Sequence, residues 1–163
     1  MPETAPDFSA ILAVLARHRV EFIVVGGVCA VLLGAPVGTF DVDIVHSRSE
    51  QNLDRLSRAL RELDAHYREH LPRRIRPSRE ALAGSGHHLL VTTSGPLDVL
   101  GSIGEDDDYP ALLHNSEQVR IDQDVSVRIL VLDTLIEVKE KTARAKDRHM
   151  LEILRAMKED LPE

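Results

Sequence analysis

One hexapeptide decides how this sequence is interpreted: Phe40-Asp41-Val42-Asp43-Ile44-Val45. Side chains alternate between the two faces of a β-strand, so Phe40, Val42 and Ile44 are predicted to point into a core. Asp41 and Asp43 then share the opposite face, roughly 6–7 Å apart by the rise of a strand. Aspartate is a poor strand former and like charges repel, so a divalent cation is one way to stabilise the pair. A half-exposed strand with a solvated polar face is the alternative.

Two glycines follow an apolar stretch upstream of the hexapeptide. Residues 21–25 are mostly β-branched and apolar and are predicted to form a buried strand, which Gly26 and Gly27 end; a short helix is predicted over 28–33. Glycines at such a junction let the backbone approach a ligand closely, and free N–H groups at a helix start favour phosphate. A tight turn that needs positive φ is the alternative for the two glycines alone.

A third carboxylate lies inside the apolar run at residues 96–100. Asp98 is predicted to face the side opposite to Leu97 and Val99. If this strand lies beside the first, the three carboxylates converge. Three carboxylates that hold two Mg²⁺ ions are a standard device for phosphoryl transfer, because one metal activates the attacking hydroxyl and the other stabilises the leaving pyrophosphate. A solvated Asp at a strand end is the alternative.

The rest of the chain alternates between predicted helices and strands. Helices are predicted over 9–18, from Ser49 through 63, from an Asp133 cap onward and around Met150, and strands over 39–45, 89–93, 97–100, 118–121 and 125–131. The stretch 70–86 is predicted to be irregular and exposed. This order predicts one α/β or α+β domain spanning 1–163, with C-terminal helices from about residue 132.

Composition sets broad limits on the class of protein. The 163 residues are 43% hydrophobic and 29% charged, which fits one folded domain and not a disordered chain. The net charge of −7 means that nucleic acid would have to be bound by a local basic patch. The lone Cys29 excludes an intramolecular disulfide and is expected to be a small core residue. We expect no signal peptide, no membrane span and a cytoplasmic location.

Two further groups of residues have both a functional and a structural interpretation. Arginines at 73, 74, 76 and 79 form a basic segment that either binds an RNA backbone or a nucleotide triphosphate, or is a solvated loop. His87 and His88 are adjacent on a predicted strand, so they should point apart and not share a metal.

As a combination, these features resemble the nucleotidyltransferase (DNA polymerase β-like) superfamily. The resemblance rests on Gly26-Gly27, the short helix ending near Gly34, the run from Thr39 to Ile44, and the isolated Asp98. It is greatest to small bacterial proteins related to type IV abortive-infection toxins and to minimal nucleotidyltransferases. The resemblance implies a mixed sheet flanked by helices.

The resemblance also implies an activity and a set of site residues. The activity is Mg²⁺-dependent transfer of a nucleoside monophosphate from an NTP to a hydroxyl of RNA, protein or a small molecule, in some relatives within a toxin–antitoxin pair. Asp98 would also be a candidate general base. The implied metal ligands and catalytic residues are Asp41, Asp43 and Asp98, and the implied nucleotide-binding residues are Gly26, Gly27, Thr39, Lys139 and Lys146.

Two positions depart from the pattern of the superfamily. Gly27 stands where relatives often have Ser, and Val37 stands where toxin-like members often have Arg. The alternative function is therefore a non-catalytic binding or regulatory module of the same fold, such as one half of a toxin–antitoxin pair with a protein partner.

Overall fold

A seven-stranded sheet forms the centre of the protein, whose computed structural model describes residues 5–142 and 147–160. The strands are β1 (Phe22–Val25), β2 (Val42–His46), β3 (His66–Tyr67), β4 (His87–Thr92), β5 (Gly95–Leu100), β6 (Ser116–Asp122) and β7 (Val125–Leu130). The helices are α1 (Phe8–Arg17), α2 (Gly26–Leu32), α3 (Glu50–Glu62), α4 (Arg79–Leu82), α5 (Tyr109–Leu113), α6 (Leu132–Lys141) and α7 (Arg148–Asp160).

The sheet is mixed, and its strand order is β3-β4-β5-β2-β1-β7-β6. Strand β1 runs antiparallel to β2 and parallel to β7, while β2 runs parallel to β5. The β4–β5 and β6–β7 pairs are antiparallel hairpins. The predicted α+β architecture, a mixed sheet flanked by helices, is confirmed.

One row of neighbouring residues crosses four strands and positions the site. Val25 of β1 pairs with Asp43 of β2, Asp43 pairs with Asp98 of β5, and Asp98 pairs with Leu89 of β4. Paired residues in a sheet point to the same face. The register therefore places the Asp43 and Asp98 carboxylates side by side.

The core lies where apolar helix faces meet the sheet. Val42 and Ile44 of β2 are fully buried, as are Leu15 of α1 and Leu56 of α3. Each such side chain stabilises the fold by about 1.5–3 kcal/mol. Helix α3 begins as predicted after Ser49, whose hydroxyl accepts a hydrogen bond from the Asn52 N–H at 3.3 Å. Within the described residues, no helix combines the length and apolar character needed to cross a membrane.

The cysteine occupies the core as expected. Cys29 on α2 is fully buried, and its thiol lies 3.6 Å from the Leu130 carbonyl oxygen. Burial raises the pKa of the Cys29 thiol to about 12. Because the thiolate is the reactive form, we expect the native protein to resist Ellman's reagent near pH 8 and to release one equivalent of thiol only in denaturant. Rapid stoichiometric labelling of the native protein would contradict this.

The start of β2 differs from the prediction. The strand begins at Val42 instead of Thr39, so Phe40 lies in the preceding loop and is 85% exposed. The predicted burial of Phe40 is therefore wrong, because alternation applies only inside a strand. Helix α2 likewise begins at Gly26 and not at Val28, so both glycines are part of the helix start.

Three other features of the structure differ from the sequence prediction. The stretch predicted to be irregular contains α4, whose Ser78 hydroxyl accepts from the Ala81 N–H at 3.1 Å. The two-residue strand β3 was not predicted. Asp133 is not the N-cap of α6, since Val131 takes that position and Asp133 lies in the first turn.

Candidate active site

Three carboxylates meet beside the start of β2 and the middle of β5. Asp41 directly precedes β2, Asp43 lies within it, and Asp98 lies in β5. One oxygen from each carboxylate lies within 4.8 Å of the other two. Asp98 is nearly buried at 9% exposure, and the other two are partly exposed. The convergence predicted from the sequence is thus observed, while the metal-binding and catalytic roles of the three residues stay predictions.

The two glycines at the start of α2 make room for site residues. Gly26 has a φ of +67°, and a Cβ there would lie 2.1 Å from Asp43 Oδ2. A Cβ on Gly27 would lie 2.5 Å from Thr39 Oγ1. The Thr39 hydroxyl donates to the Asp41 carbonyl oxygen at 3.2 Å, which ties the loop to the carboxylate pair. Glycine is required here because the helix start packs directly against Asp43 and Thr39.

The electrostatics of the cluster favour a cation. The pKa of Asp43 is raised from its ordinary value of 3.8 to about 8, chiefly by burial, then by the charge of Asp41 and by the hydrogen bond and charge of Asp98. Lys139 acts in the opposite direction but does not cancel these effects. A carboxylate that keeps its proton beside two others is a place where a divalent cation can replace that proton.

Lys139 is the predicted basic residue that the structure brings to the cluster. It lies on α6 and, with Gly26 and Asp43, lines a cavity of about 120 Å³. Its Nζ is 3.3 Å from Asp147 Oδ1, and the side chain is only 17% exposed. Lys146, the other predicted residue, lies outside the described residues.

Arg68 is a site residue that the sequence interpretation missed. It directly follows β3, and its Nη2 donates to Asp98 Oδ1 at 2.6 Å. Its Nη1 donates to the Leu90 carbonyl oxygen at 3.2 Å, and its backbone N–H donates to the Leu89 carbonyl oxygen at 3.1 Å. A single charged residue after a two-residue strand carries no periodic signal that could have identified it.

A trough of about 580 Å³ lies on the β4 side of the carboxylates. Asp43 and Asp98 form part of its wall, and its lining also includes Arg68, His87 and Leu89. The smaller cavity beside Lys139 also reaches Asp43. The carboxylate cluster therefore has a cavity on each of two sides, which suits a reaction between two substrates.

The other candidate groups are held by contacts within the protein. Arg74 and Arg76 both pair with Asp64, and Arg79 pairs with Asp54 at 2.7 Å, which favours the solvated-loop interpretation of this segment.

The two histidines point to different partners. His87 Nε2 lies 2.8 Å from the Ser102 carbonyl oxygen, and His88 Nδ1 lies 2.8 Å from the Tyr67 hydroxyl. In the part of the chain that the structure describes, the three aspartates are the only group of three or more His, Cys, Asp or Glu residues placed to hold a metal ion.

Comparison with known proteins supports the fold. No protein-family model matches the chain, and no curated protein matches it. It is similar to a crystal structure from Thermotoga maritima of a protein described as a "putative nucleotidyltransferase (TM1012)", with a TM-score of 0.56 and 19% identity over 93% of this chain and 90% of that chain. At this identity the likeness establishes the fold alone, which is nucleotidyltransferase-like. The narrower resemblance to abortive-infection toxins stays a prediction.

Proposed function

We propose that the protein is a Mg²⁺-dependent nucleotidyltransferase that moves a nucleoside monophosphate from an NTP to a hydroxyl acceptor. The observation that carries this proposal is the convergence of Asp41, Asp43 and Asp98 on a nucleotidyltransferase-like fold. RNA, a protein side chain and a small molecule remain the acceptor classes. A toxin–antitoxin role and a cytoplasmic location remain predictions from the sequence.

The residues of the cluster fit a magnesium site. Asp41, Asp43 and Asp98 offer carboxylate oxygens, the ligands that Mg²⁺ prefers. The raised pKa of Asp43 supports this fit, because burial first and then the charges of Asp41 and Asp98 disfavour its ionised form, which a bound cation would stabilise. When bound there, the metal would supply activation of the attacking hydroxyl and stabilisation of the leaving pyrophosphate.

The two cavities lie on different sides of the cluster, and we assign one substrate to each. We assign the side of Lys139, Gly26, Gly27 and Thr39 to the triphosphate end of the nucleotide, because Lys139 supplies the positive charge that a triphosphate requires. We assign the trough beside Asp98 to the acceptor. There the Asp98 carboxylate would orient the acceptor hydroxyl and accept its proton.

The test is a transfer assay with each α-³²P-labelled NTP, using transfer RNA, total protein or a polyol as acceptor. We expect label to be transferred from one NTP in the presence of Mg²⁺, and EDTA to abolish the transfer. Isothermal titration of each Mg²⁺–NTP complex provides a readout that does not depend on the acceptor. Absence of binding for all four NTPs, with Asp41→Asn leaving cellular function intact, would refute the proposal.

The same titration tests the alternative of a non-catalytic module. Val37, which stands where toxin-like relatives often carry Arg, is partly buried against the core, so this position supplies no cation to a triphosphate. Binding of Mg²⁺–NTP without transfer to any acceptor would favour the module over the enzyme.

A further inference from the structure

Two basic side chains are built into the acidic cluster of the free protein. The Arg68 guanidinium contacts Asp98 Oδ1 at 2.6 Å, and Lys139 acts on Asp43 from the other side. Opposite charges in contact stabilise carboxylates in the absence of metal. The cluster is therefore partly neutralised before any metal arrives.

Arg68 cannot leave Asp98 freely. Its Nη1 donates to the Leu90 carbonyl oxygen, and its backbone N–H is fixed by the Leu89 carbonyl oxygen in line with β4. The side chain is only 29% exposed. Its positive charge therefore stays beside Asp98 when a metal binds, and it repels any cation that Asp98 coordinates.

We propose that Arg68 makes the site select a metal–nucleotide complex over a bare divalent cation. This inference rests on the proposed function, because it concerns the same three carboxylates. A bare cation coordinated by Asp98 meets the repulsion of the Arg68 guanidinium, which lies 2.6 Å from Asp98 Oδ1. A metal that arrives with a triphosphate brings negative charge that offsets this repulsion and that Lys139 attracts on the nucleotide side. Arg68 thus acts through its charge beside Asp98 and sets the order of loading, so that metal and nucleotide enter together.

The geometry favours repulsion over an orienting role for Arg68. An orienting residue is needed where a carboxylate is otherwise free to rotate. Asp98 is instead nearly buried and lies within β5, where it is paired with Asp43 of β2. Since Asp98 is already held in place, the charge of Arg68 is its main effect on the metal.

The test measures Mn²⁺ binding by electron paramagnetic resonance, first without nucleotide and then with a non-hydrolysable ATP analogue. We expect Arg68→Gln to bind bare Mn²⁺ about tenfold more tightly than the wild type, since it removes one positive charge next to the metal. Its preference for the Mn²⁺–analogue complex over bare Mn²⁺ should fall by a similar factor. Arg68→Lys keeps the charge and should restore wild-type values.

Arg120→Gln is the matched control, because it removes the same charge from an exposed position on β6, at the edge of the sheet away from β4 and β5. It should leave both affinities unchanged. Unchanged or weaker Mn²⁺ binding by Arg68→Gln would overturn this inference, provided that the wild type binds Mn²⁺ and Asp43→Asn does not. If no variant and no wild-type sample binds Mn²⁺, the proposed function fails and this inference fails with it.

Discussion

Asp43→Asn should stabilise the metal-free protein and abolish nucleotidyl transfer. The folded-state pKa of Asp43 is raised to about 8 from 3.8, so the folded protein holds a proton that the unfolded chain releases. The free energy of unfolding should therefore decrease as the pH rises from about 4 to 8 and level off above that. The Asp43→Asn variant has no carboxyl proton to lose at this position, so its free energy of unfolding should lack this dependence on pH. Near pH 9 it should be more stable by more than about 2 kcal/mol, or several degrees in Tm.

The same substitution removes a carboxylate from the proposed metal site. Metal stabilisation of transition-state charge is worth several kcal/mol, so transfer should fall by about 10³-fold or more. Thermal melts at several pH values in EDTA and the labelled-transfer assay measure the two effects. Asp54→Asn is the control, because it removes the same charge from an exposed ion pair and should change stability by less than about 1 kcal/mol. A less stable Asp43→Asn variant at high pH would contradict the cost that burial and the neighbouring charges are assigned here.

Gly26→Ala should damage the site more than it damages the fold. An alanine at φ +67° is strained by about 1–2 kcal/mol. Its Cβ would lie 2.1 Å from Asp43 Oδ2 and 3.0 Å from Asp43 Cγ, so the carboxylate must turn away. Because misplacing a catalytic group by about 1 Å can lower a rate by about 10²-fold, we expect a loss of that size or larger in transfer. A chemical-denaturation series and the transfer assay provide the measurements.

Two other glycines are controls for Gly26→Ala. Gly38→Ala adds the same methyl group in the loop before Thr39, where nothing lies within 4 Å, and should leave both activity and stability near wild type. Gly27→Ala should fall between them, since its Cβ meets the Thr39 hydroxyl and methine carbon and not a carboxylate. Full activity in Gly26→Ala would show that the close packing of α2 on Asp43 is not needed.

The parts of the fold that follow from local sequence were predicted, and the parts that depend on distant contacts were not. The leucines of α3 repeat with helical spacing and give that helix a buried face, as found. Strands β2 and β5 pair in parallel although they are far apart in the chain. The sequence therefore predicted only that the carboxylates would converge if the two strands lay side by side. Strand β3 has two residues and exists only because β4 lies next to it.

The site was predictable to the extent that its residues break a pattern. Asp43 and Asp98 stand out because each interrupts an apolar strand, and Asp41 stands out because it lies two residues before Asp43. The burial of Phe40 was predicted wrongly because no marker in the sequence identifies the first residue of a strand. Its exposed ring lies in the loop before β2. Arg68 interrupts nothing in the sequence, and its contact with Asp98 arises only when β4 brings the end of β3 alongside.

The fixed register of β5 against β2 has a consequence for insertions and deletions. One residue inserted between Pro96 and Leu97 would rotate Asp98 to the opposite face of the sheet and remove it from the cluster. One residue inserted between Thr93 and Ser94, in the turn between β4 and β5, would leave the pairing of β5 with β2 intact. Insertions and deletions are therefore tolerated in the turn between β4 and β5 and are incompatible with function inside β2 and β5.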